Sequence, residues 1–215
     1  MSTIHKLSVI VGTIACILFY SKDAANAEIL TFDELGSLTP ANGLTVKGVT
    51  FDFKIDGVDS PDLTYNSSFP PQIPPNVFAN IQQPFLQGNG KGILSLDFAA
   101  PISALQFNVG LESFAPVASG LTVELFDAGL KSLGVTSVNT APLAVLSEGL
   151  FSYSGASVKK AVLDFDASKF GLNPIDPRFS IDNLTYTSIP EPSLLVGLLG
   201  FGGSVYLSRK KRQKV

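Results

Sequence analysis

Six glutamates and twelve aspartates carry most of the chemistry this 215-residue chain can offer. Glycoside hydrolysis needs two carboxylates facing each other across a cleft, one as acid and one as nucleophile or base. Of the chain's six glutamates, Glu112, Glu124 and Glu148 are the candidates in the middle of the sequence, but Glu124 falls at an outward position of an alternating segment and nothing pairs it with a second acid. Residue type excludes other routes. The only His is His5, the only Cys is Cys16, and there is no Trp. Past residue 27 there is no Ser-His-Asp or Cys-His nucleophile system, no zinc site of the usual His/Cys kind and no disulfide. The pattern predicts no catalytic residues and a fold held by packing.

Two constellations point to binding. Asp33 and Glu34 stand early, and Asp182 with Asn183 stands late. Brought together by the first and last strands, they would offer calcium some of the six to eight oxygens it takes. No EF-hand spacing supports the idea, and solvated acids at strand ends are the plainer alternative. No other cofactor is predicted. Tyr65, Phe69, Phe78 and Phe85 lie in or near a proline-rich segment and could form a platform for sugar rings, although Phe in a loop more often plugs a core.

The ends of the chain differ from its middle. Met1 to Lys6 is short and mildly basic, residues 7–20 are apolar, and a polar stretch ends in Ala25-Asn26-Ala27. These are the three parts of a secretory signal peptide, residues 1–27, with cleavage expected between Ala27 and Glu28. At the other end Pro190-Glu191-Pro192 precedes an apolar, glycine-spaced segment, 193–208, and then Arg209, Lys210, Lys211 and Arg212 in a basic tail, 209–214. As a transmembrane helix, 193–208 would reach about 24 Å, short of a ~30 Å hydrocarbon core. The basic cluster should stay cytoplasmic and leave the residues before it outside. Between the ends, residues 28–189 hold 8 Lys plus Arg against 16 Asp plus Glu. A domain this acidic does not neutralise phosphates, so nucleic acid is excluded as a partner.

Pro190-Glu191-Pro192, the apolar segment and the Arg/Lys cluster together resemble the PEP-CTERM sorting signal, over residues 189–214. The resemblance implies an exported cell-surface or extracellular protein, transiently anchored in the membrane by its C-terminal helix. It also implies a partner, an exosortase, a membrane-embedded cysteine protease of bacteria that make extracellular polysaccharide.

The region 28–188 alternates with period two. Ile29–Phe32 opens the series; Val49, Phe51 and Phe53, then Leu94, Leu96 and Phe98, then Leu105, Phe107 and Val109 follow. Leu121–Phe126, Ser132–Ser137, Leu150–Ser154, Val158–Asp166 and Phe179–Tyr186 complete it. Alternation of this kind predicts half-buried strands. Asp127-Ala128-Gly129 predicts a hairpin with glycine at positive φ. Asn89-Gly90-Lys91-Gly92 should launch a strand. Six prolines between Ser60 and Gly92 predict mostly loop or edge. The expected fold is all-β, a two-sheet antiparallel β-sandwich of jelly-roll type. The strand series resembles the carbohydrate-binding-module-like ectodomains often found ahead of PEP-CTERM tails, which implies a non-catalytic domain that contacts polysaccharide. A small carbohydrate-active enzyme using a Glu/Asp pair and a purely structural matrix subunit are the alternatives.

Overall fold

The computed structural model describes residues 26–68, 76–170 and 176–189. The predicted signal peptide up to Ala25, the tail from Pro190 onward and Phe69 lie outside them. Asn26–Ile189 forms one compact unit. Among the described residues every paired strand is antiparallel, the only helical element is a 3-10 turn at Ala167–Lys169, and no helix is long and apolar enough to cross a membrane.

Two strands set the architecture. β8 (Gly92–Leu111) and β11 (Ser147–Phe165) run side by side for 20 and 19 residues. Strands usually span 3–10 residues, so both must bend to stay within a domain of this size. Their register shifts between Ser154 and Lys160 of β11, opposite Asp97 to Ala104 of β8. Such irregularities bend a strand and increase its twist. Each strand therefore serves two sheets.

Sheet I holds the first half of β8 and the second half of β11. On one side lie β9 (Val117–Phe126) and β10 (Ser132–Pro142), and on the other β4 (Val49–Ile55) with β3 (Thr45–Val46) and β5 (Val58–Asp59). Sheet II holds the remaining halves and continues through β12 (Arg178–Ser188), β7 (Phe85–Asn89), β6 (Leu63–Ser67) and β2 (Thr39–Pro40); β1 (Ala27–Leu30) pairs with the end of β12. The first and last strands are thus neighbours.

The inner faces meet through aromatic rings. Phe53 of sheet I lies 6.1 Å from Phe179 of sheet II, Phe51 lies 6.1 Å from Tyr65, and Phe98 lies 5.5 Å from Tyr186. Phe165 stacks on Phe179 at 3.9 Å. All seven rings are buried in one core. Each such pair adds about 0.5–1.5 kcal/mol beyond the area it buries.

The structure departs from the sequence expectations in specific places. Leu94–Phe98 and Leu105–Val109 are one strand, as are Leu150–Ser154 and Val158–Asp166, because the chain bends where period-two alternation fails. The Ser60–Gly92 segment contains two paired strands, β6 and β7, lying in its proline-free portions. In the predicted hairpin Asp127 Oδ1 accepts the Gly129 and Lys131 amides at 2.8 and 2.9 Å, and Leu130 rather than Gly129 takes positive φ. Gly90 carries the chain from sheet II to sheet I. A Cβ there would stand 2.3 Å from the Phe170 ring, so only glycine fits the approach.

Candidate functional site

The outer face of sheet II is built in rows, because paired residues of antiparallel strands point the same way. Glu148, Gly110, Ser180 and Gln87 form the first row; Leu150, Asn108 and Asp182 form the second. Ser152, Gln106, Thr185 and Ile29 form the third, and Ser154, Ala104, Thr187 and Ala27 the fourth. Ala27, half of the predicted cleavage pair with Ala25, therefore opens β1.

A strap, residues 76–84, crosses the first two rows. Two buried carboxylates hold it. Glu148 accepts the Ala79 and Asn80 amides at 2.7 and 2.9 Å. Asp182 accepts the Gln82 amide at 2.9 Å and its neighbour Asn183's at 2.6 Å. The Asn80 carbonyl takes the Asn108 and Asn183 side-chain amides, at 3.1 and 3.4 Å. Bonds to ionised acceptors are worth roughly 1.5–3 kcal/mol, so these two acids are the main polar clamps of the strap. Burial pushes the Asp182 carboxyl above the usual carboxylate range, against the pull of the two amides. Beneath the strap Val77, Phe78, Ile81, Phe85 and Leu146 make a second, small core. Gly110 leaves room for it: a Cβ there would lie 2.5 Å from the Phe78 ring and 2.8 Å from Ile81.

A cavity of about 520 Å³ opens at the strap. Phe78 and Ile81 line it together with the exposed residues Asn76, Gln82 and Gln83, whose carboxamides both donate and accept. Among the described residues no charged side chain lines it. Rows three and four are also free of charge and continue the same face with hydroxyls, one carboxamide and the exposed Ile29.

The predicted calcium donors do not converge. Glu34 receives the Tyr65 hydroxyl, the Lys47 ammonium at 2.9 Å and the Thr31 amide. Burial raises its pKa, but these partners outweigh burial and hold it at about 2. Asp33 is exposed and takes the Thr31 hydroxyl, while Asp182 is committed to the strap. Among the described residues no group of three or more His, Cys, Asp or Glu gathers as metal ligands would.

Of the predicted aromatic platform, Phe69 lies outside the described residues and the other three rings are buried. Tyr65 is fully buried against Phe32 and Phe51, and its hydroxyl is used by Glu34. Phe78 and Phe85 are buried under the strap. Apolar area drives these rings inward, and of the three only Phe78, 5% exposed, reaches the wall of the cavity. The glutamates are dispersed. Glu124 is on the outer face of sheet I beside Val135 and Val162. Glu112 follows β8, where burial raises its pKa against the opposing Arg178 guanidinium, which is itself paired with Asp62 and Asp176. The sequence singles out Glu148 and Asp182 for other chemistry, and neither their role as strap anchors nor the carboxamides above them can be read from it. The available signal was that Glu148 and Asp182 occupy outward positions in stretches, 147–158 and 179–188, that hold no other charge.

No family model and no curated protein matches the chain. Among solved structures, the family 29 carbohydrate-binding module CBM29_1 of Piromyces equi is similar at 8% identity and a TM-score of 0.39, over 77% of this chain and 92% of that one. The CBM22-1–CBM22-2 tandem of Paenibacillus barcinonensis Xyn10C matches at 14% and 0.36, over 80% of this chain and 49% of that one. The bacteriophage CBA120 tailspike protein 4 enzymatically active domain matches at 12% and 0.34, over 71% and 21%. Likeness at this level says nothing about what this chain binds.

Proposed function

We propose that this chain is exported and processed through its PEP-CTERM-like tail by an exosortase, and that its sandwich then binds an uncharged polysaccharide at the cell surface or in the matrix without catalysing a reaction. The observation that carries the binding role is the charge-free outer half of sheet II, continuous with a cavity edged by Asn76, Gln82 and Gln83, on a domain with twice as many acids as bases. Carboxamides and hydroxyls over an apolar floor match the donors, acceptors and CH faces of a neutral sugar chain. An acidic polymer would meet a like-charged body. The enzyme alternative is less supported, because the oxygens of Glu148 and Asp182 are taken up by backbone amides.

The test is retention of the full chain on the host's own extracellular polysaccharide, fractionated into neutral and acidic material. Retention on the neutral fraction is expected, with about a tenfold loss in the Gln82→Ala/Gln83→Ala variant, since each lost hydrogen bond is worth roughly 0.5–1.5 kcal/mol. No retention on either fraction, or release of new reducing ends, overturns the binding role. Mass spectrometry of the protein recovered from its cells tests the processing; intact residues 1–27 and 190–215 would refute it.

A further inference from the structure

We propose that β10 is a self-pairing edge, through which two copies of this chain join antiparallel to make one continuous sheet. An edge strand presents unpaired amides and carbonyls, and proteins that remain single keep such edges short, charged or interrupted by proline. Four of the other edges follow that rule, whereas Gly149–Ser154 of β11, paired with β8 alone among the described residues, carries neither charge nor proline. β2, β3 and β5 have two residues each, and β2 ends on Pro40. Asp59 of β5 is ion-paired with Lys54. β1 has four residues, and the Lys47 ammonium occupies its Ile29 carbonyl at 2.8 Å.

β10 has none of these guards, its only irregularities being register shifts at Ser132/Gly134 and Val138/Thr140. It spans eleven residues, pairs with β9 along one side only over Ser132–Val138, and carries no charge and no proline before Pro142. Gly134, Val135, Thr136 and Ser137 are all exposed, although Gly134 and Thr136 pair with the inward-facing Leu125 and Val123. This end of the strand therefore overhangs the core, with both faces open among the described residues, and Val135 is 62% exposed. The occupant that fits is a second copy. The stretch Ser132–Ser147 is uncharged in an acidic domain, so two copies approaching through β10 bring their least repulsive surfaces together. A twofold axis through an antiparallel pair makes one strand its own complement.

The test is a cysteine scan of Leu133 to Val138, one site at a time, in the full chain carrying Cys16→Ser. Opposed residues of an antiparallel pair lie about 4.5–5.5 Å apart at Cα, within disulfide reach. Disulfide-linked homodimer should peak at one position and fall at neighbouring ones, exceeding by about fivefold a Gln106→Cys control, an exposed site paired on both sides in the other sheet. Val135→Lys should abolish concentration-dependent dimerisation in sedimentation. The proposal is overturned by a flat scan with freely titrating thiols, by thiols protected without a homodimer, or by a cross-link to a different protein.

Discussion

The outer faces of the two sheets use their acids in opposite ways. On sheet I, Asp52, Lys54, Asp97, Lys160 and Asp164 stand on rows open to water, and the cations pair with nearby carboxylates at 2.8 to 3.6 Å. On sheet II the two acids of the covered rows, Glu148 and Asp182, are 4% and 3% exposed and bind backbone amides of the strap; the open rows through Gln106 and Ala104 carry no charge, and the charged row of Arg178 lies beyond the strap at the opposite end. The difference lies in what each charge organises. An exposed ion pair orders little, because water competes for both partners. A buried carboxylate that accepts two amides fixes the backbone supplying them, and here that backbone positions the carboxamides of the cavity.

Glu148→Ala should have the largest effect. It leaves the Ala79 and Asn80 amides without their acceptor in a covered site, a loss of about 3 kcal/mol. Denaturant unfolding should show a lower midpoint, with hydrogen exchange rising first in residues 76–84. A change below 1 kcal/mol would put the two faces on the same footing.

Gly110→Ala probes the same strap without touching a charge. The added methyl meets Phe78 and Ile81 closer than real carbon contacts, and overpacking of this kind costs about 1–3 kcal/mol. About 2 kcal/mol is expected, together with loss of neutral-glycan retention as the strap lifts. Unchanged retention would separate the cavity from the binding role.

How far the sequence carried this picture depends on the range of the interactions. Alternation in Val49–Phe53 and Leu105–Val109 is local, and it revealed antiparallel strands with their inner faces. Asp127 bonds within four residues, so the hairpin was also legible. The clamp joining Glu148 to Ala79 spans 69 residues and that joining Asp182 to Gln82 spans 100. No pattern along the chain encodes such pairings. The burial of Tyr65, Phe78 and Phe85 was hidden for the same reason: they have the composition of a sugar site, but burial depends on elements packed from elsewhere. The bends in β8 and β11 were visible only as gaps in alternation, which also mark ordinary loops.

Asp182→Asn sharpens the comparison through pH. Burial raises the folded pKa of Asp182 above its unfolded value. A raised carboxyl pKa means that the folded state binds the proton more readily, so the stabilisation from protonation is present below the unfolded value and is lost as pH rises through the folded one. The asparagine variant cannot titrate there. It should differ from the parent by about 1 kcal/mol or less at pH 7, where the lost charge-assisted bonds and the relieved desolvation oppose each other. The parent should gain on it as pH falls from 7 towards 4. Unfolding midpoints of both proteins across that range measure the gain; a parent that loses ground to the variant would mean that the amides, not burial, dominate this carboxyl.

Lys160→Ala should have the smallest effect and sets the baseline for the others. Its ammonium lies 3.4 Å from Asp97, with the two side chains 25% and 45% exposed. Pairs this open contribute a few tenths of a kcal/mol and are screened by salt. The variant should unfold within about 0.5 kcal/mol of the parent, and the difference should vanish in 1 M salt. It should also retain neutral polysaccharide unchanged, because sheet I's outer face is not part of the proposed site. A loss approaching that of Glu148→Ala would mean that Lys160 organises structure as the strap anchors do, and the contrast between a solvated charged face and a clamped neutral one would not describe this molecule.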